Sequence, residues 1–255
     1  MSKRIFNTVL ILGFTALLIL CGTTYIPRFI SAANTSGSRK LPIYCVETDK
    51  PQISLSFDSA WGNEYTQTIL DILAAHDVKA TFFMTGQWVD SYPEEVVKIY
   101  EAGHDLGNHS QSHPYMSQLE EAEQVQELMS VHNKVKQLTG HDMFLFRAPY
   151  GDYNDQVISC ANENGYYPIQ WDIDSLDWKD YGAQDIIQRI TENEKLGNGS
   201  IILCHNGAKY ITDALDTVIT TLQDKGYEFV PISQLIYKDH YSINHEGRQI
   251  PETDS

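Results

Sequence analysis

The sequence predicts an α/β protein whose parallel strands curl into a barrel. Two observations carry this expectation. Strand-like and helix-like segments alternate between residues 52 and 230, and five chemically distinctive residues (Asp58, His109, Arg147, Asp174 and His205) each follow a different strand-like run. Only a closed or nearly closed sheet brings five such strand ends round one mouth.

Gln52–Phe57 alternates apolar and small polar residues with a period of two, as a strand does, and Asp58 follows it. Residues 64–76 place Tyr65, Ile69, Ile72, Leu73 and His76 on one helical face, and Ala80–Met84 reads as the next strand. A helix over Pro93–Glu101 opens on proline and closes before Gly103, and His104–Asn108 is strand-like. The longest helix, Leu119–Leu138, spaces Val125, Leu128, Met129, His132, Val135 and Leu138 by three and four residues, and Gly140 terminates it. The alternation continues through strand Met143–Phe146, helix Asp155–Asn164, strand Tyr167–Trp171, helix Ala183–Ile190, strand Ser200–Cys204, helix Asp213–Lys225 and strand Glu228–Val230. After Leu235 a polar tail is expected, frayed at the surface.

The chain has 255 residues, enough for one large domain. Its net charge is −16, and because the first 40 residues hold five basic residues and no acid, residues 41–255 carry −21. Such a domain repels phosphates, so nucleic acid is excluded as a partner, and no glycine-rich nucleotide loop is present. A monomer is expected. Ile5 to Pro27 lacks formal charge and follows Lys3 and Arg4, the pattern of an export signal. The most apolar part, Val9–Cys21, suits a cleavable signal. The best small-residue cleavage site, Ser31-Ala32-Ala33, lies beyond Arg28, which favours an uncleaved anchor over residues 1–30. Residues 31–49 then form a tether and lead into the domain, with structure beginning near Leu41. The acidic domain therefore faces outward, extracytoplasmic and membrane-anchored, or secreted if the signal is cleaved. Beyond the anchor, Cys45, Cys160 and Cys204 form no disulfide framework, and Cys204 beside His205 reads better as a small buried residue than as a nucleophile.

In Gly107-Asn-His-Ser-Gln-Ser-His113, two imidazoles four residues apart can converge on a divalent transition ion. Taken alone, the pair reads better as two polar loop residues among nine histidines. Four further stretches, FDSAWG, FRAPYG, DSLDW and ILCHN, add a base, an arginine, carboxylates and another histidine.

In that order these stretches resemble the polysaccharide deacetylases of carbohydrate esterase family 4, which share the NodB homology domain. FDSAWG stands for the family's TFDDG, HSQSH for HxxxH, RAPYG for RxPxG, DSLDW for the Asp-Trp motif and LCH for LxH, and the likeness covers residues 50–236. WGNE at Trp61–Glu64 also resembles the membrane-anchored, sporulation-associated PdaB-like branch. The resemblance implies a distorted (β/α)7 barrel and hydrolysis of N-acetyl groups from a peptidoglycan or chitin-like polymer, with release of acetate. It implies zinc, or cobalt, nickel or manganese, on His109 and His113, with Asp58 as base, Arg147 holding Asp58 ionised, His205 as acid and Asp177 orienting His205. The Tyr150 backbone N–H would help to bind the oxyanion, and Trp178 and Leu203 would wall the acetyl pocket. Bland readings stand beside these, with Arg147 in a structural ion pair, Trp178 in the core and Asp174 as a turn cap.

One position departs from the family pattern. The aspartate that supplies a third metal ligand corresponds to Ser59, a neutral and weak oxygen donor. Three readings stand open: Ser59 ligates directly or through water, Asp58 takes over as ligand, or the site is a remnant that only binds glycan. Two functions of different class compete, then: a metal-dependent N-deacetylase, and a catalytically inactive glycan-binding protein using the same groove. A third, an amidase of small amides, is weakened by export.

Overall fold

The computed structural model describes residues 39–252. The expected membrane segment, Cys21 and the tether as far as residue 38 lie outside them. No helix among the described residues is long and apolar enough to cross a membrane.

In chain order the strands are β1 (Cys45–Val46), β2 (Gln52–Ser59), β3 (Thr81–Met84), β4 (Asp105–Asn108), β5 (Leu145–Phe146), β6 (Tyr167–Pro168), β7 (Ile173–Asp174), β8 (Ile201–His205), β9 (Glu228–Phe229), β10 (Tyr241–Ile243) and β11 (Arg248–Pro251). The helices are α1 (Thr66–Ala75), α2 (Gly86–Ser91), α3 (Pro93–Glu101), α4 (Glu121–Thr139), α5 (Asp155–Glu163), α6 (Ala183–Thr191), α7 (Ile211–Asp224) and α8 (Ile232–Leu235). The main sheet runs β6-β5-β4-β3-β2-β8-β7 with every pairing parallel, and β9 pairs with the first residues of β2. The expected distorted seven-stranded barrel is thus the fold observed.

Strand β2 shows why the sheet is buried on both sides. Ile53, Leu55 and Phe57 join the layer between sheet and helices, with Ile69, Leu73 and Ile219. Ser54, Ser56 and Asp58 point the other way, where the Ser54 hydroxyl donates to the Val230 carbonyl at 2.7 Å and the Ser56 hydroxyl to that of Ile202 at 2.7 Å. Burial of these hydroxyls is tolerated because each has a partner. A second apolar cluster, with Phe83, Leu145, Ile201 and Ile232, fills the inside of the curl. β3 and β4 lie close together: a Cβ on Gly107 would sit 2.4 Å from the Phe83 ring, so only glycine fits there.

The distortion arises where one strand was expected over Tyr167–Trp171. The structure ends it early, at Pro168, and a further short strand that was not expected, β7, begins at Ile173 on the far edge of the sheet. The sheet is left open between them, and the segment around β1 bridges the gap. Ile43 pairs with Ile169, Cys45 pairs with Ser200 ahead of β8, and the Val46 N–H donates to the Gly199 carbonyl at 2.9 Å.

The tail corrects a second expectation. Residues after Leu235 do not fray as far as Glu252: β10 and β11 form an antiparallel pair, and β11 adds parallel to β1. Gln249 is fully buried and closes this sheet, accepting from the Tyr237 N–H at 2.9 Å and donating to its carbonyl at 2.7 Å. Composition misled because polar side chains there satisfy buried backbone, which hydropathy reads as solvent. Helix α2 was also unexpected. It is too short to display a period, and it begins at Thr85, whose hydroxyl accepts the Trp88 N–H at 3.2 Å.

Cys45, Cys160 and Cys204 are free and buried, with no disulfide among them. Burial pushes the Cys204 thiol well above its ordinary range, which suits the inert reading and not a nucleophile.

Candidate active site

Parallel strands deliver their C-terminal ends to one side of the sheet. A cavity of about 360 Å³ lies there, lined among others by Asp58, His109, His113, Tyr150, Asp174, Trp178, Leu203 and His205. Asp58 and His205 stand directly opposite each other in the β2–β8 register. His109 follows β4, its N–H donating to the Met84 carbonyl at 3.0 Å, and Arg147 follows β5, its N–H donating to the Asn108 carbonyl at 2.9 Å. Of the predicted site residues, Arg147, Asp177 and Ser59 stand outside the cavity lining.

Arg147 is wholly buried behind Asp58. Its Nη1 donates to Asp58 Oδ1 at 2.7 Å, and its Nη2 donates to the Ser56 hydroxyl at 2.9 Å and to the Gln170 carbonyl at 3.2 Å. The guanidinium lies over Phe83, 4.1 Å from the ring centroid. Burial alone would raise the Asp58 carboxyl. Arg147, helped by His109 and His205, outweighs burial and holds it below the ordinary carboxylate value.

His205 is clamped from behind by Asp177. Its Nδ1–H donates to Asp177 Oδ1 at 2.7 Å, and its backbone N–H donates to Oδ2 at 2.7 Å. Burial disfavours the imidazolium, but the Asp177 hydrogen bond and charge prevail and raise the pKa of His205 above its ordinary value. The short helical turn Asp177–Lys179 that carries this carboxylate is bracketed by Leu176 and Asp180, both at left-handed φ. The Leu176 N–H donates to Asp174 Oδ1 at 2.9 Å, so Asp174 caps that turn as well as lining the cavity.

The histidine pair is held by a separate set of bonds. The Asn108 side chain, fully buried, donates through Nδ2 to the Leu128 carbonyl and the Tyr166 hydroxyl, while its Oδ1 accepts the Ser110 N–H at 2.9 Å. Ser110 and His113 both take left-handed φ, and the His113 N–H donates to the Ser110 hydroxyl at 3.1 Å. This folds the loop back until the two imidazole rings lie 4.9 Å apart at 68°. Burial disfavours charge on both: His109 is lowered, and His113 is lowered to about 4.

The neutral His109 ring meets the Arg147 carbonyl oxygen 2.7 Å from Nδ1, and an oxygen that can only accept places the ring proton there. The Nε2 lone pair then faces Asp58 Oδ2 at 3.4 Å. A lone pair and an ionised oxygen turned toward one another suit an intervening cation, and a second nitrogen bonded to a backbone carbonyl is the usual support of a metal-ligating histidine. Ser59, at the end of β2, is buried with its hydroxyl oxygen lacking any partner. The donor set fits a cation, though incompletely: among the described residues no three His, Cys, Asp or Glu side chains form a ready cage.

Several residues that build the site were not singled out from sequence. Ser56 and Gln170 hold Arg147, Asn108 anchors the histidine loop, and Trp61 covers His205 with ring centroids 5.2 Å apart at 30°. Trp61 had a signal in its place within FDSAWG, and its seat depends on Gly207, where a Cβ would stand 2.4 Å from the Trp61 carbonyl oxygen. Ser56 and Gln170 had none, since Arg147 lies 91 and 23 residues from them, and Asn108 offered only its local bond to Ser110, while Leu128 and Tyr166, which fix its side chain, lie 20 and 58 residues away.

The sequence pattern of the polysaccharide deacetylase family matches residues 46–169. A peptidoglycan-N-acetylglucosamine deacetylase of Bacillus cereus is 34% identical, covering 73% of this chain and 69% of its own length. The peptidoglycan-N-acetylmuramic acid deacetylase PdaA of Bacillus subtilis is 33% identical, covering 76% of this chain and 75% of its own. Among solved structures, a CE4-family pseudoenzyme from Bacillus anthracis superposes with a TM-score of 0.73 at 36% identity, covering 76% of this chain and 68% of that one. A mutant of that pseudoenzyme with restored enzymatic activity superposes with the same TM-score at 37% identity. With strand order, cavity and matched sequence in agreement, the chain belongs to the polysaccharide deacetylase family of hydrolases.

Proposed function

We propose that this protein removes N-acetyl groups from a cell-wall or chitin-like polysaccharide, peptidoglycan above all, and releases acetate. The carrying observation is the pair Asp58 and His205, opposite one another at one cavity and driven in opposite directions by private partners, Arg147 and Asp177. Asp58, kept ionised, takes a proton from the attacking water. His205, kept protonated, gives one through Nε2 to the departing amine. The Tyr150 backbone N–H faces the developing oxyanion, and Trp178 and Leu203 bound the space for the acetyl methyl. A divalent ion such as zinc on His109 and His113, with the Ser59 hydroxyl as a weak third donor, would supply polarisation of the amide carbonyl and acidification of water. Export through residues 1–30, display outside the cytoplasm and the PdaB-like affinity belong to the same reading. Homologues named for peptidoglycan support it.

Acetate release from peptidoglycan and from chitin oligomers, with divalent ions supplied, tests the proposal, and kcat/KM is expected to follow a bell in pH. The acid limb, where Asp58 protonates, falls below the ordinary carboxylate value, because Arg147 lowers that group. The alkaline limb, where His205 deprotonates, falls above the ordinary imidazole value, because Asp177 raises it. Asp177→Asn removes that support and is expected to move the alkaline limb to lower pH, with metal content unchanged. An unmoved limb would exclude His205 as the acid.

A second reading, a glycan binder without turnover, is favoured by Ser59 standing where a ligating carboxylate is expected and by the similarity to the pseudoenzyme. Elemental analysis and calorimetric metal titration separate the two. The wild type is expected to bind one divalent ion, His109→Ala to lose it, and Ser59→Asp to bind roughly tenfold or more tightly by adding an anionic ligand. Equal metal content in wild type and His109→Ala, together with glycan binding and no acetate from any ion, would leave the binder reading in place.

A further inference from the structure

We infer that Tyr115 and Tyr150 form a sugar-stacking subsite, beside the catalytic cavity, for the pyranose adjoining the reacting residue of an N-acetylated glycan. The inference rests on the deacetylase reading for its ligand and on the geometry of the loops for its place. The two rings stack with centroids 4.4 Å apart at 20°, so each covers one face of the other, yet Tyr115 is 50% and Tyr150 60% exposed and the pair keeps aromatic surface open to solvent. Tyr150 also lines the cavity and packs against His113, 4.4 Å away at 73°, whereas Tyr115 stands outside the lining. A polymer threaded past the cavity therefore meets Tyr150 first and Tyr115 next.

The surface is also pre-set. The Ser117 N–H and hydroxyl donate to the two oxygens of Asp152, each at 2.8 Å, and the Asn154 side chain donates to the Ser117 carbonyl at 3.3 Å. These bonds tie the loop of Tyr115 to the loop of Tyr150, and Met116, fully buried, pins the first of them. Tyr150 itself is held at a φ of 59°, a conformation that a non-glycine residue keeps only when its surroundings impose it. Because both rings are already ordered, a ligand that stacks on them loses little side-chain entropy in the protein. An uncharged aromatic face complements the apolar C–H face of a neutral pyranose, and the −21 carried by residues 41–255 disfavours an anionic occupant.

Isothermal titration of the full-length protein carrying Asp58→Asn, to suppress turnover, tests this with penta-N-acetylchitopentaose and N-acetylglucosamine as probes. Adding Tyr115→Ala is expected to weaken the pentasaccharide Kd about three- to tenfold and to change the monosaccharide Kd less than twofold, while Tyr115→Phe retains both. A pentasaccharide Kd unchanged by Tyr115→Ala, or an equal loss for both sugars in a protein whose circular dichroism is native, would overturn the subsite. If neither sugar binds the Asp58→Asn parent, the deacetylase reading fails first, and the subsite loses its ligand with it.

Discussion

Asp58→Asn and His205→Ala are each expected to lower kcat/KM for acetate release by about 10²–10⁴-fold, the usual contribution of a positioned base or acid. Neither substitution touches the backbone pairing of β2 with β8, and Asn at position 58 keeps an oxygen to accept from Arg147, although it removes the charge facing that buried guanidinium. The double variant is expected to lose little more than the worse single one, because groups that act in one proton relay are not additive. Steady-state assays on glycan oligomers, with circular dichroism to verify folding, measure this. A loss under fivefold at either position would remove that residue from the chemistry.

Arg147→Met is expected to be the most damaging substitution to the fold, at about 3–5 kcal/mol, because removing one partner of a buried ion pair strands the other. Arg147 has no exposed surface and Asp58 only 4%, so water cannot replace the lost partner. With the guanidinium gone, burial is opposed only by His109 and His205, and the folded-state pKa of Asp58 rises. The deficit should therefore be greatest at neutral pH and above, and should shrink as pH falls and the carboxyl takes up a proton in both states. Urea denaturation at pH 7 and pH 4 measures the trend, and adding Asp58→Asn to Arg147→Met should recover much of the loss. A deficit independent of pH would mean that Arg147 acts through packing on Phe83 and not through Asp58.

The sequence by itself determined the alternation of parallel strands and helices, because a period of two in Gln52–Phe57 and of three to four in Leu119–Leu138 follows from backbone geometry alone. It also singled out strand ends that the structure gathers at one cavity, because Asp58, His109 and His205 close apolar runs with residues able to carry charge or ligate. Tertiary structure alone decided that the sheet stays open between β6 and β7, that the segment around β1 bridges the opening, and that the tail is ordered against β1. It alone showed that Arg147 reaches Asp58 across 89 residues and that Asp177 clamps both the ring and the backbone of His205. Local periodicity records what each residue needs from its own element. Partners distant along the chain leave no periodic trace, so the direction of each pKa, and the meeting of Tyr115 with Tyr150, had to wait for the fold that brings them together.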